Sequence, residues 1–473
     1  MLGRLVRAWW GDFSKEELEK FALLSLIFGL IIGVYWYLRP LKDSIFMAVV
    51  GENYIPKAKF LSLFIVFPLV LIYSKLVDIF PRQKMFYALC GIYSIIGLCF
   101  AFIMNHSTIG LSNAVASPDR WWGWAWYVFI ESFGSLVVAL FWAFATDITA
   151  PESAARGFPL VALGGQVGNI LGPLGLSILF SRFAHFELGP EGELPLEAVQ
   201  HSAFLHSISV AIASLLIASI ILLVRYFMLI MPKDQLQGFQ SKEAHKHKHE
   251  EAEPGFFEGL KILISSPYLI GIFGIITFYE IIVTVLDFNF KTLVKAEFPD
   301  AHATTLYLAS YGMWVGIASM LSILLGINKI QRVLGLGVSL ALLPLMIAGA
   351  VLTFKSYPHL SMLFIIMVLS KAVNYALNQP SMKQLYIPTS KEAKYKSQAF
   401  IEMYGSRGSK AAGSSINLLR KPLMDQHGAL AGLTMFITYC TYASLGIVAV
   451  WFFVALYLGR TFNKAIKEKH TIC

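Results

Sequence analysis

Charged residues are scarce in this sequence. Only 14% of its 473 residues are Asp, Glu, Lys or Arg, whereas 56% are hydrophobic. An average soluble domain carries about 25% charged residues, so the composition excludes a soluble globular protein and indicates an integral membrane protein. Cysteine is scarce as well, and the four thiols lie scattered in apolar surroundings without metal or redox spacing. We therefore expect free thiols at Cys90, Cys99, Cys440 and Cys473.

Targeting and catalytic patterns are missing too. The first residues, MLGRLVRAWWGDFSKEELEK, are basic and then acidic, and they lead into a long apolar run without a small-residue cleavage site. We expect neither a signal peptide nor a transit peptide. We find no nucleophile elbow, no metal-ligand spacing and no other catalytic constellation. The sequence therefore predicts a protein that is not an enzyme and that holds no cofactor or metal.

Long apolar runs are what the sequence has in abundance. Crossing the hydrocarbon core takes about 20 apolar residues, and twelve segments come close to that length. They predict an all-α membrane protein with twelve transmembrane helices, near residues 21–38, 60–79, 85–104, 124–146, 158–180, 203–230, 268–290, 306–327, 333–354, 361–380, 395–419 and 431–458. The eleventh is weak by hydropathy because it contains YGSRGSKAAGSS.

The basic residues predict the orientation. Cytoplasmic loops carry an excess of Lys and Arg, and most of the basic loop residues fall on the cytoplasmic side when the N-terminus is placed there. The acidic loop 181–202 then lies outside. An even number of spans places both termini in the cytoplasm. The net charge of +9 is therefore interpreted as membrane topology and not as nucleic-acid binding.

The chain divides around the connection 231–267, which contains SKEAHKHKHEEAEPG. Six predicted spans precede it, in a half covering 1–230, and six follow, in a half covering 268–473. Shifting the chain by 240 residues brings Gly165 and Gly168 onto Gly405 and Gly408. Parallel six-helix repeats of this kind are typical of the major facilitator architecture, with alternating access around a central site. The connection is interpreted as a cytoplasmic charged linker, although His245, His247 and His249 leave a metal site as an alternative.

The same register changes the interpretation of YGSRGSKAAGSS, residues 404–415. Its first-half counterpart lies in the span 158–180, so the stretch is predicted to be a membrane helix and not a flexible linker. It is not a phosphate-binding loop of the Gly-x-x-x-x-Gly-Lys-Ser/Thr type either, because Gly408 is followed by Ser409, Lys410 and Ala411. No strand is predicted before it.

Several charged residues fall at membrane depth, where they are costly and usually face a cavity or each other. Arg407 and Lys410 share a helix face, and Glu280 and Asp287 lie two turns apart on another helix. The others are Glu131 in the fourth span, Lys371 in a stripe with Asn374 and Asn378, and the cluster Arg39, Lys42 and Asp43 at the end of the first span. Internal salt bridges are one interpretation. The other is a cavity for a multiply charged anion such as a phosphate ester, because cations outnumber anions there.

Four segments resemble the non-mitochondrial ATP/ADP translocase (nucleotide transporter, TLC) family of intracellular bacteria and plastids. LRPLKDSIF, with the loop that ends in IPKAKFL, is similar to the family's first external loop. ESFGSLVVALFWAFATDIT is similar to its fourth span, SKAVNYALNQPSMKQLYIP to its tenth, and KYKSQAFIEMYGSRGSKAAGS to its K-x-K-A-A-I-D-V segment. The resemblance extends over nearly the whole chain.

The resemblance implies nucleotide exchange across a bilayer, commonly of ADP for ATP, and places this chain in a bacterial inner membrane. The family's functional lysines fall on Lys42 and Lys410, and its functional acids on Glu131 and Asp287. The chain departs from the pattern in having Asp287 for Glu, Gln379 for Asp, Asn374 for a second basic residue, Ala-Ala-Gly after Lys410, and the extra acid Glu280. These departures concern the strictness of ATP/ADP exchange and not the fold.

Three hypotheses follow. The first is a monomeric nucleotide exchanger that binds ATP in a lipid bilayer. In it, phosphates contact Lys42, Lys371, Arg407 and Lys410; Glu131, Asp287 and Glu280 couple or gate; and Asn374, Tyr375 and Asn378 are candidates for contacts with the base. The second is a proton-coupled symporter of nucleotides or another organic anion, with Glu280 and Asp287 as the proton site. The third is a transport-inactive membrane protein that senses a nucleotide.

Overall fold

The computed structural model is helical, and no strand occurs in the part of the chain that it describes. The predicted all-α membrane fold is confirmed. The described residues are 14–113, 115–149, 151–182, 195–232, 236, 256–324, 328–390, 400–401, 405–468 and 470–472. The histidine-rich centre of the predicted linker, with His245, His247 and His249, lies outside them.

The described residues form fifteen α-helices, numbered in chain order. The first six are α1 (Lys15–Val49), α2 (Ile55–Ile79), α3 (Arg82–Met104), α4 (Trp121–Asp147), α5 (Pro151–Arg182) and α6 (Leu196–Ile230). The short α7 (Phe256–Ser265) occupies the end of the predicted linker. The remainder are α8 (Pro267–Glu297), α9 (Ala301–Leu324), α10 (Asn328–Ser356), α11 (Leu360–Val373), α12 (Gln379–Leu385), α13 (Ser406–Asn417), α14 (Arg420–His427) and α15 (Ala429–Glu468).

Nine helices in the described part of the chain are long and apolar enough to cross a membrane. They coincide with nine of the twelve predicted spans. Helices also occupy the other three positions, as α9, as α11 with its continuation into α12, and as α13. Part of the predicted eleventh span, residues 391–399 and 402–404, lies outside the described residues. The number twelve therefore stays a prediction.

Residue contacts divide the chain into two compact units. Unit 1 contains Met1–Glu52, Phe64–Lys248 and Phe298–Met313, and unit 2 contains Asn53–Leu63, His249–Glu297 and Trp314–Cys473. The segment 53–63, at the start of α2, thus packs in unit 2 although it lies early in the sequence. The segment 298–313, which includes the start of α9, packs in unit 1.

The first helix is longer than the apolar pattern predicts. The sequence places the end of the first span at residue 38 and treats LRPLKDSIF as part of an external loop, but α1 continues through Pro40 to Val49. A proline is tolerated inside a membrane helix when neighbouring helices and side chains compensate for the lost hydrogen bond. Leu41, Ile45 and Phe46 are fully buried after it, and this packing stabilises the extension. Lys42 is therefore a helix residue and not a loop residue.

Glycines bring α1 and α5 into close contact within unit 1. A methyl group added at Gly168 would lie 2.0 Å from the carbonyl oxygen of Gly29, and one at Gly164 would collide with Ser25. Small residues at such crossings allow the backbones of membrane helices to approach closely. The two helices therefore pack closely against each other in unit 1, and α1 also carries Lys42.

Candidate functional site

The first candidate site lies in unit 1, where Lys42 is paired with carboxylates. Its ammonium group donates a hydrogen bond to Glu131 Oε1 and lies 3.8 Å from Asp43 Oδ1. The Lys42 side chain is only 6% exposed, whereas that of Glu131 is 28% exposed. The lysine of this pair is thus buried, whereas the carboxylate of Glu131 is partly exposed.

Aromatic rings fix the position of this pair. The ammonium group of Lys42 lies 4.4 Å from the centre of the Tyr127 ring, a distance at which a cation is attracted to the ring face. One turn beyond Tyr127 along α4 comes Glu131, and then Gly134. A methyl group at Gly134 would lie 2.3 Å from the Tyr35 ring, so glycine there lets α1 approach α4. The close packing of α1 against α4 therefore brings Lys42 and Glu131 together.

The second candidate site lies in unit 2, on α13. The packing of this helix accounts for the small residues of YGSRGSKAAGSS. Residues at every fourth position of this stretch face α8. A methyl group at Gly405 would lie 2.7 Å from the Phe273 ring, and one at Gly413 would lie 2.7 Å from the Ile281 carbonyl oxygen. Between them Ser409 donates to Thr277 Oγ1 at 3.0 Å. The small residues are therefore the packing face of α13.

The basic residues of α13 lie off that packing face. The ammonium group of Lys410 is 3.8 Å from Glu280 Oε1, and its side chain is 49% exposed. Ser406 donates to the same carboxylate oxygen at 3.1 Å. Arg407, on the adjoining part of the helix, is half-buried. The Lys410–Glu280 pair is thus long and open, and the ammonium group is accessible to an anion.

A third ionic cluster in unit 2 surrounds Asp287. Its Oδ2 atom lies 2.8 Å from the ammonium group of Lys291, one turn further along α8. The same oxygen lies 3.4 Å from the ammonium group of Lys59, at the start of α2. Glu280 and Asp287, the two acids of the symport hypothesis, therefore have different partners, and each is already compensated by at least one lysine. Neither Lys59 nor Lys291 is among the site residues predicted from the sequence.

The stripe of Lys371, Asn374 and Asn378 lies where α11 continues as a π-helix, Asn374–Asn378. Single π-helical turns inside α-helices occur frequently at functional sites. Lys371 and both asparagines are buried, and the Asn378 amide donates to Asn374 Oδ1 at 2.9 Å. Tyr375 is half-buried on the same turn. The structure therefore places the candidate base-contacting residues on one irregular turn.

A cavity large enough for a small molecule lies elsewhere in unit 1. It has a volume of about 870 Å³ and lies among α1, α5 and α6. Its walls are mostly apolar, with glycines such as Gly29 and Gly168, and Arg182 contributes a charge. None of the predicted site residues is among its lining residues. Among the residues described by the structure, no cluster of three or more His, Cys, Asp or Glu could hold a metal ion.

The fold resembles solved transporter structures. A bacterial homologue of the iron transporter ferroportin, in an inward-facing state, has a TM-score of 0.60 at 14% identity, with 94% of this chain and 100% of that chain covered. A bacterial homologue of the human lysosomal transporter Spinster, inward-facing and unoccupied, has a TM-score of 0.59 at 14% identity, with 96% and 99% covered. At this identity the likeness shows the fold alone, which is major-facilitator-like.

Sequence relatives cover nearly the whole chain. ADP,ATP carrier protein 1 of Chlamydia muridarum is 25% identical, with 98% of this chain and 92% of the relative covered. ADP,ATP carrier protein 1 of Rickettsia prowazekii is 26% identical, with 96% and 95% covered. The chloroplastic ADP,ATP carrier protein 1 of Arabidopsis thaliana is also 26% identical, with 96% and 75% covered. The model of the TLC ATP/ADP transporter family matches residues 3–462, and the chain belongs to that family.

Proposed function

We propose that this protein moves ATP, ADP or related nucleotides across a membrane by alternating access, one nucleotide in exchange for another. The observation that carries the proposal is a lysine–carboxylate pair in each unit, Lys42 with Glu131 and Lys410 with Glu280. A charge at membrane depth needs compensation, and a phosphate group offers more acceptor oxygens and more negative charge than a carboxylate. The family membership and the relatives named as ADP,ATP carriers support the same class of substrate.

In this proposal the carboxylates and the substrate phosphates share the lysines. Phosphates contact Lys42, Lys371, Arg407 and Lys410 while the nucleotide is bound. When it leaves, Glu131 and Glu280 pair with their lysines again, whereas Asp287 stays paired with Lys291. The base contacts the π-helical turn, where Asn374, Tyr375 and Asn378 offer amide groups and an aromatic ring. Exchange follows because a carrier without substrate has to break its ion pairs before it can change conformation.

The setting of this activity is part of the proposal. The chain is an integral multi-pass membrane protein, and we place it as a monomer in a bacterial inner membrane with both termini in the cytoplasm. Its two six-helix halves, 1–230 and 268–473, are joined by the linker 231–267. The excess of Lys and Arg in the predicted cytoplasmic loops supports this orientation.

The experiment is uptake of labelled ATP into proteoliposomes that contain the purified protein. Exchange predicts fast uptake into vesicles loaded with ADP and slow uptake into empty vesicles. If an imposed pH gradient drives equally fast uptake into empty vesicles, the protein is a symporter. If ATP binds to the protein but no vesicle takes it up, the protein is a sensor. Either of these two results would reject exchange.

A further inference from the structure

The cluster around Asp287 contains a lysine to which neither the family resemblance nor the candidate site assigns a role. The Asp287 carboxylate lies between two ammonium groups, at 2.8 Å from Lys291 and 3.4 Å from Lys59. Asp287 and Lys291 lie on one helix that is long and apolar enough to cross the membrane, and Lys59 lies on another. Ionisable residues at such depth commonly mark the path of a substrate or an ion.

The two lysines are not equivalent partners. Lys291 is one helical turn from Asp287, a spacing at which side chains on a helix are neighbours, and its side chain is 6% exposed. Lys59 comes from the segment 53–63, makes the longer contact and is 16% exposed. The contact between Asp287 and Lys291 therefore does not depend on Lys59. Lys59 can change its partner without leaving the buried carboxylate uncompensated.

The surroundings of Lys59 are basic. The ammonium groups of Lys57 and Lys421 lie 5.3 Å and 5.6 Å from the centre of the Tyr54 ring, and the Arg420 guanidinium donates to Asn53 Oδ1. All of these residues belong to unit 2. Lys57 and Lys421 are exposed, so several cations lie around the first turns of α2, which also carry Lys59. Such an arrangement raises the local concentration of anions.

We propose that Lys59 is a further ligand of the substrate phosphates, and that Asp287 holds its ammonium group while no nucleotide is bound. The inference rests on the proposed function, because it assumes a nucleotide substrate. It adds a phosphate contact at the start of α2, a helix that carries none of the predicted phosphate ligands. Asp287 acts in it as a competitor for Lys59, and Lys291 is the residue that keeps Asp287 in place.

The test is equilibrium binding of labelled ATP to the purified full-length protein, measured for the wild type and a set of variants. Lys59→Ala is expected to weaken binding at least 10-fold, and Lys59→Arg to retain most of it, since arginine also binds phosphate. Asp287→Asn is expected to tighten binding several-fold by removing the competitor. That gain is expected to vanish in the double variant Lys59→Ala/Asp287→Asn. Lys75→Ala, which removes an exposed lysine near the other end of α2, is the matched control and should change the Kd less than two-fold.

The outcomes separate this inference from the proposed function. If the wild type binds ATP and Lys59→Ala binds it within two-fold of the wild type, Lys59 is only a structural ion-pair partner and the inference is wrong. A lowered melting temperature with an unchanged Kd would identify that structural role. If Asp287→Asn fails to fold, the contrast among Lys59→Ala, Lys59→Arg and Lys75→Ala decides alone. If the wild type does not bind any nucleotide, the proposed function fails, and this inference fails with it.

Discussion

The lysine–carboxylate pair of unit 1 and that of unit 2 use the same two chemical groups in different surroundings. Lys42 is buried against Tyr127, between Glu131 and Asp43. Lys410 is half-exposed, and the 3.8 Å that separate it from Glu280 allow only a weak contact. A buried pair is costly to break, because removal of one partner leaves a charge without compensation. An exposed pair contributes little to stability. Under the proposed function, Lys42 therefore has both a structural and a binding role, whereas Lys410 has a binding role.

Lys42→Ala removes the buried lysine of the Lys42–Glu131 pair and should have the largest effect of these variants. We expect a loss of about 3–5 kcal/mol in the free energy of unfolding, because Glu131 loses its buried partner. ATP exchange should be lost as well. Thermal unfolding in detergent without nucleotide, together with the vesicle assay, measures both.

The matched control for Lys42→Ala is the double variant Lys42→Met/Glu131→Gln, which removes both charges at once. Replacing both members of a buried pair by neutral groups is often close to neutral for stability. The double variant should therefore recover most of the melting temperature and none of the transport. If it is as unstable as Lys42→Ala, the instability does not come from the uncompensated charge of Glu131.

Lys410→Ala tests the more exposed pair, Lys410 with Glu280. We expect the rate of ATP exchange at low substrate concentration to fall roughly 10- to 100-fold, the loss typical of one hydrogen bond to a charged group. The free energy of unfolding should change by less than about 1 kcal/mol, because the side chain is half-exposed. Lys464→Ala, at an exposed lysine of α15, should leave both quantities unchanged. A loss of stability as large as that of Lys42→Ala would remove the distinction between the two sites.

Gly413→Leu is expected to displace α13 without changing any of its charged residues. It therefore tests whether the position of Lys410 beside α8 matters for exchange. A side chain at this position would meet the Ile281 carbonyl oxygen at 2.7 Å, and overpacking of this kind costs about 1–3 kcal/mol. Stability and exchange should fall together, because Lys410 moves away from its position beside α8. At Gly408 on the same helix, a methyl group would meet no atom within 4 Å. Gly408→Ala should therefore behave as the wild type does, and equal damage by both variants would contradict the assigned packing face.

Glu280→Gln should have the smallest effect. The exposed pair with Lys410 contributes roughly 0.2–1 kcal/mol, so the melting temperature should hardly change. The KM for ATP should fall a few-fold at low ionic strength, because the carboxylate no longer competes with phosphate for Lys410. Salt screens exposed charges more than buried ones, so this gain should disappear in high salt. A gain that persists in high salt would indicate that the pair is more buried than the structure shows.

Much of the fold could be predicted from hydropathy, because lipid accepts only helices whose backbone polar groups are satisfied internally. The exception in α1 has a clear cause. Arg39, Pro40 and Lys42 together have the composition of a helix end, whereas the burial of Leu41, Ile45 and Phe46 depends on helices distant in sequence. The period of four in Gly405, Ser409, Gly413 and Asn417 is visible in the sequence, and it could have identified the packing face of α13.

The charged residues of the candidate site could be predicted from the sequence, but their ion-pair partners mostly could not. Lys410 and Glu131 could be singled out because charge is costly at membrane depth. The partner of each charge depends on packing. Asp287 is accompanied by Lys291 at a spacing that the sequence shows, but its contact with Lys59 requires the segment 53–63 to pack in unit 2. No local pattern encodes that contact.

The central claim is that Lys410 exchanges Glu280 for a substrate phosphate while Lys42 stays buried. The most direct measurement is labelling of the reconstituted protein with an amine-reactive reagent, followed by mass spectrometry of the peptides that contain the two lysines. Lys410 should be labelled without nucleotide and protected by ATP, but not by sulfate at equal ionic strength, and Lys42 should stay unlabelled throughout. Equal labelling of Lys410 with and without ATP would contradict the account.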